Sequence, residues 1–278
     1  MLGLFPIIFG LLSAVSFGIG DFSGGFVTKK LNVLLVLLYS QIIGLLFLCI
    51  SILIVHEPFT ASVIPFGALS GIFGCIGLLA FYKGLSLGNM GIVAPITAIV
   101  TPIIPLFISI FEQSYSINQV IGIFVALASI WLVSSTKLEK NVTLFDIAYA
   151  SIAGISFGLF LVFINIASTS TSILYPIVFA RISSILITVC LIIISNSFNI
   201  PGKRNFGFTS LVGILDTVGN LFFILSSQEG RLDFASILLS LGPVVTVILA
   251  WKILKEKLTK MQVIGIILSV FAISLLSS

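Results

Sequence analysis

Ten apolar stretches, each about 20 residues long, succeed one another along this chain with only short polar or Gly/Pro breaks between them. That spacing limits the fold more than any other feature. A stretch of this length crosses the hydrocarbon of a bilayer as a helix, and a helix satisfies every backbone N–H and C=O where water is missing. The stretches lie at roughly 4–27, 33–55, 63–86, 91–111, 117–135, 144–166, 173–195, 206–227, 233–251 and 260–277. The clearest breaks are Lys29-Lys30, His56-Glu57-Pro58, Gly88-Asn89, Lys137 to Lys140, Pro201 to Arg204, Gly230-Arg231 and Lys252 to Lys260. No loop is long enough to hold a soluble domain. The chain is 8% charged, whereas a soluble domain carries about 25%, so lipid is the natural solvent for its surface. The predicted fold is an all-α integral membrane protein of ten transmembrane helices, partnered by the lipid bilayer. Met1 to Pro6 lacks a basic segment and the apolar run continues well beyond it, so the first stretch reads as a span rather than a signal peptide.

The basic residues are distributed unevenly. Of 13 Lys and Arg, eleven fall in or beside the odd-numbered loops, and only Arg231 falls on the other side. The positive-inside rule then puts the odd loops in the cytoplasm and both termini outside, in a multi-pass protein of the cell membrane. Scattered this way, the basic excess makes no stripe for nucleic acid. Asn141-Val142-Thr143 is a formal glycosylation sequon, expected to be unused in a cytoplasmic loop. Cys49, Cys75 and Cys190 lie in apolar runs at no metal or redox spacing, and read as small packing residues. His56 is assigned no role.

The two halves repeat at an offset near 140. Ser16-Phe17-Gly18 returns as Ser156-Phe157-Gly158, Gly71 and Gly88 as Gly213 and Gly230, and Thr101-Pro102 as Gly242-Pro243. Gln119 to Ile123 returns unchanged as Gln262 to Ile266. A nearly constant offset predicts two five-helix units, 1–137 and 138–278, integrated in one membrane domain. Five is odd, so the second unit enters the membrane upside down. Such inverted repeats are frequent in secondary transporters, because two opposed halves can exchange conformations and open one central site to either side.

Ser16 to Gly24 (SFGIGDFSG), Met90 to Pro95 (MGIVAP) and Lys255 to Gly265 (KEKLTKMQVIG), set in two five-helix halves, resemble the EamA group of the drug/metabolite transporter superfamily. Ala180-Arg181 and Leu215 to Leu221 (LDTVGNL) look like one branch of that group. The chain departs from the pattern at Glu112 to Tyr115, where relatives usually carry Gly-Glu and a basic residue. The resemblance covers nearly the whole chain and implies transport of amino acids, sugars, nucleotide precursors or amines.

Three charges stand inside the spans: Asp21, Arg181 and Asp216. Charges in hydrocarbon are costly, so they face a cavity or a partner. Their sum leaves one carboxylate over, which fits a proton, a cation or an amine; a static network that locks helices is the alternative. Gly213, Asp216, Asn220 and Ser227 share one helix face. The equivalent positions in the first half, Gly71, Gly74 and Leu78, are small or apolar, and Gln41 stands where the second half has Arg181. This predicts an asymmetric pocket. Gly10, Ala14, Gly18, Asp21 and Gly25 form a small-residue face that reads chiefly as helix packing. Pro95, Pro102, Pro105 and Pro243 break intrahelical hydrogen bonds, as bent helices near a transporter's site do. Tyr39, Phe81, Tyr82 and Phe223 are candidates for an aromatic wall, and Trp131 and Trp251 for interfacial anchors. The predicted substrate-binding or ion-coupling set is therefore Asp21, Gln41, Tyr82, Arg181, Asp216 and Asn220, with kinks at Pro95, Pro102 and Pro243.

No nucleophile-base pair, metal spacing or nucleotide loop is present, so neither cofactor nor enzyme activity is expected. Uphill transport would draw on an ion gradient, with protons as the expected ion. The leading reading is a secondary transporter of a small polar metabolite, an amino acid or related compound, exported by alternating access, working as a monomer or homodimer. An importer or facilitator of an amine, sugar or vitamin is the alternative. A membrane enzyme or scaffold would need an interfacial polar cluster, and a channel would need a repeated ring of pore residues.

Overall fold

The computed structural model describes residues 3–28, 31–86, 90–111, 113–134, 143–168, 172–195, 203–253, 255 and 257–277. Lys29-Lys30, Gly88-Asn89, Glu112, Lys137 to Lys140, Asn141 and Pro201 lie outside them. Every element among the described residues is helical: α1 (Leu4–Thr28), α2 (Val33–Val55), α3 (Val63–Ser86), α4 (Met90–Ser109), α5 (Ile117–Ser134), α6 (Leu144–Ala167), α7 (Leu174–Ser195), α8 (Lys203–Glu229), α9 (Leu232–Leu239), α10 (Gly242–Ile253) and α11 (Lys260–Ser277). Nine stretches among the described residues are long and apolar enough to cross a membrane, with α9 and α10 counted as one; Val93–Ser109 of α4 is apolar but shorter. Many large apolar side chains point outward, such as Leu53, Ile54, Ile194 and Phe271. In water this surface would aggregate; in lipid it is the natural exterior.

The predicted ninth helix is not one helix. It divides into α9 and α10 at Ser240-Leu241. The Leu241 N–H turns back to the Leu238 carbonyl at 3.1 Å, tightening the last turn of α9. Pro243 then falls in the first turn of α10, where its missing N–H costs nothing. By contrast, α4 stays continuous through Pro95, Pro102 and Pro105.

Helix starts are fixed by local chemistry. Thr143 caps α6, accepting from the Asp146 N–H while its own N–H donates to the Asp146 carboxylate. Thr259 and Gln262 make the same kind of box at α11. Thr143, the hydroxyl residue of the sequon, thus serves as a helix cap.

The helices pack across the two halves more than within them: α1 lies on α8, α3 on α6 and α7, α2 on α7 and α8, α4 on α6, and α5 on α11. Two crossings are very close. A Cβ on Gly71 of α3 would overlap the Ala180 carbonyl of α7, and one on Gly213 of α8 would overlap the Ser40 carbonyl of α2. Only glycine permits this approach.

Candidate functional site

A cavity of about 350 Å³ lies between the halves. Its lining includes Gly25 and Ser134, near the ends of α1 and α5 on the lysine-rich face. Toward the other face it stops at Phe160, Leu161, Ile177 and Leu239. Beyond them an apolar cluster that includes Leu48, Ile164, Leu174, Phe223 and Ala235 fills the space between α2, α6, α7, α8 and α9. The cavity is therefore sealed on the side away from the lysines.

Its walls are largely apolar and aromatic, with Phe17, Phe81, Tyr82, Phe157 and Phe160 contributing rings. Phe81 meets Phe157 edge-on at 6.3 Å. The charges converge at mid-depth. Arg181 of α7 is 5% exposed. Its guanidinium donates to the Gln41 side-chain oxygen and to Asp216 Oδ2, and at 3.2 Å to the Thr217 hydroxyl. Asn220 Nδ2 donates to the Asp216 backbone carbonyl at 2.7 Å, while its Oδ1 has no described partner. Asp21 also lines the cavity and is exposed to it, with no hydrogen bond or ion pair to any described residue.

The sealed face carries two fastenings that join the halves. His56 ends α2 in the left-handed conformation, with φ of 56°, and swings Glu57 toward α7. There the Glu57 carboxylate accepts from the Leu174 and Tyr175 N–H groups at 2.9 and 3.2 Å and from the Ser172 hydroxyl at 3.1 Å. An acid at a helix start satisfies donors that the helix itself cannot. Across the molecule, Arg231 grips Asp233 with two nitrogens, at 3.1 and 2.8 Å, and reaches the Ser114 carbonyl at 3.2 Å. The Tyr115 hydroxyl donates to the same carboxylate at 2.7 Å, and Arg231 sits 4.4 Å over the Tyr115 ring. Burial, then the hydrogen bond and charge of Asp233, push the Tyr115 phenol up to about 12, so it stays a donor near neutral pH.

The family model of EamA-like transporters matches residues 4–135 and, a second time, residues 144–278. This chain belongs to the EamA-like transporter family. An uncharacterized protein of Methanocaldococcus jannaschii is 31% identical over 132 residues, which make up 46% of this chain and 95% of that protein. A crystal structure of a protein 14% identical in sequence has the same fold, with a TM-score of 0.74 over 97% of this chain and 94% of its own.

In this EamA-like chain the cavity gathers Asp21, Gln41, Tyr82, Arg181, Asp216, Asn220 and Pro243. Pro95 and Pro102 are buried on α4 and do not line it; Ala94, Thr97, Ala98 and Thr101 take that place. Two candidates for the aromatic wall lie elsewhere: Phe223 is in the sealing cluster, and Tyr39 packs beside Leu35 and Ile192. The polar face of α8 also divides. Asp216 and Asn220 line the cavity, Gly213 is pressed against α2, and Ser227 turns back to the Ile224 carbonyl. Sequence reasoning missed Thr217, whose sign was an ordinary helical threonine, and the Glu57 and Tyr115–Asp233 fastenings. An isolated loop acid and a departure from the family pattern at Tyr115 were the available signals.

Proposed function

We propose that this chain is a secondary active transporter. It moves a small metabolite bearing an amine across the cell membrane by alternating access. Export is the expected direction and protons are the expected coupling ion. The observation that carries this reading is the cavity between the halves, which reaches Gly25 and Ser134 near the lysine-rich face and is backed by the Phe223 cluster toward the other. The lysine bias puts the first face in the cytoplasm, so a solute is expected to enter from the cell interior.

Reciprocal packing supports inverted repeats. Gly71 meets Ala180 while Gly213 meets Ser40, and Gly18 meets the Gly242 carbonyl while Gly158 meets that of Thr101. Each pair maps onto the other when the halves are exchanged. Gln41 and Arg181, 140 residues apart, occupy matched positions and bond to each other across the implied axis. The family model fits each half separately, and a half-length relative exists, as expected of a unit that doubled.

The test is uptake and counterflow in proteoliposomes with pooled labelled amino acids, amines and sugars, with and without a pH gradient. Wild type should accumulate one class when the gradient is imposed. Asp216→Asn should lose gradient-driven accumulation and keep exchange. Transport indifferent to both would make the chain a facilitator, and no transport by folded protein would overturn the reading.

A further inference from the structure

The cavity's polar groups are unevenly supplied, and the imbalance bears on what the solute must be. A substrate carboxylate is recognised best by two parallel N–H groups of one guanidinium. Arg181 has no such pair to offer. One terminal nitrogen donates to both Asp216 and Thr217, the other already serves Gln41, and the unpartnered Nε lies toward Gly44, where a Cβ would be 3.3 Å away. Gly44 does not line the cavity. Both forks of the guanidinium need the nitrogen that Asp216 and Thr217 occupy.

Single hydroxyls of Tyr82, Ser134 and Ser184 remain on the wall, apart from any second donor of one guanidinium, and the remaining charge is an acceptor. Arg181 cancels Asp216, and Asp21 remains, unpaired and facing the cavity. Lys83, next to Tyr82, is exposed and does not line the space. Asn220 also lines the space, with its Oδ1 fully buried and its Nδ2 donating to the Asp216 carbonyl. The hydroxyls of Thr97, Thr246 and Ser240 donate to the carbonyls of Ala150, Gly18 and Ser236, so what they turn to the cavity is lone pairs. Around these acceptors stand the rings of Phe17, Phe81, Tyr82 and Phe157, whose faces attract cations.

We propose that the preferred solute is an organic monocation with an apolar or aromatic body, held by the Asp21 carboxylate among the aromatic rings, and that a free carboxylate on the solute is rejected. This rests on the cavity being the solute's path and narrows the class within it. A zwitterion would bring a carboxylate for which no bidentate donor remains, into a space already carrying one negative charge in excess.

Equilibrium binding to the purified full chain in lipid nanodiscs tests this with three molecules that share one body: phenethylamine, phenylalanine and phenylacetate. Wild type should bind phenethylamine at least about tenfold more tightly than phenylalanine, and phenylacetate least, the scale of one charged hydrogen bond. Asp21→Asn should lose about tenfold for phenethylamine and leave phenylalanine little changed, while Asp21→Glu keeps most of the cation affinity. Because Asp21 holds no described partner, neither change removes a structural bond. Equal or tighter binding of phenylalanine, an Asp21→Asn variant as good as wild type, or no binding of phenethylamine by folded protein would each overturn the proposal. Counterflow of phenylalanine would do so too while leaving the transporter reading intact. Asp21-dependent cation binding without any counterflow would uphold this site and sink transport instead.

Discussion

At the scale of single residues, the buried guanidinium of Arg181 organises the site. It is held by Gln41 from the first half and by Asp216 and Thr217 from the second. A charge in such a place is tolerated only while paired, and removing one partner of a buried pair costs about 3–5 kcal/mol because the other is stranded. Arg181→Ala should therefore lower thermal stability in detergent markedly, and adding Asp216→Asn should recover part of the loss. A double variant no more stable than Arg181→Ala would mean that the two do not act as a neutral pair. The three intramembrane charges were legible in the sequence, because hydrocarbon makes each of them conspicuous. Which of them pair was not, since pairing depends on how α7 and α8 are brought together. Tyr39 and Phe223 misled for a related reason: among 25 phenylalanines and five tyrosines, ring identity says nothing about which side of a helix meets the cavity.

At the scale of elements, length and apolarity gave the helices at nearly their observed positions, and only the span at 233–251 came out divided. The proline there was visible; what mattered was its place one residue into α10, after a tightened turn, which the sequence does not reveal. Three prolines inside α4 did not break it. The fastenings at Glu57 and Arg231–Asp233 are also element-scale features, because they tie loops and helix starts of opposite halves. A Glu57→Ala variant loses the cap on α7, about 1 kcal/mol, and should loosen the sealed face. In a background with Cys49, Cys75 and Cys190 replaced, a cysteine at Ile177 should then react faster with an impermeant thiol reagent added from the face that carries Glu57. An unchanged rate would show that Glu57 does not hold that face shut.

At the scale of the whole molecule, the lysine bias predicts the orientation. Alkaline phosphatase fused after Ser278 should be active and a fluorescent protein at the same point dark, as for an external terminus; the reverse pattern would invert the map and the expected direction of solute entry. The close approaches of Gly71 to Ala180 and of Gly213 to Ser40 fall at positions that the sequence offset relates, whereas the seal was not legible, since it emerges only where five helices meet around Phe223. The fastenings themselves lie on one face and join residues that have no matched partners in the other half: Glu57, Tyr115 and Asp233 are not repeated at the offset of 140. A carrier made of two interchangeable halves would spend equal time facing each way. In the proposed cycle one-sided fastenings would weight the resting balance, and every 1.4 kcal/mol of difference between two postures makes one about tenfold more common. If the cycle is the proposed alternating access, the fastenings would have to part on every turn, and the solute's own binding would have to help lift the bolt.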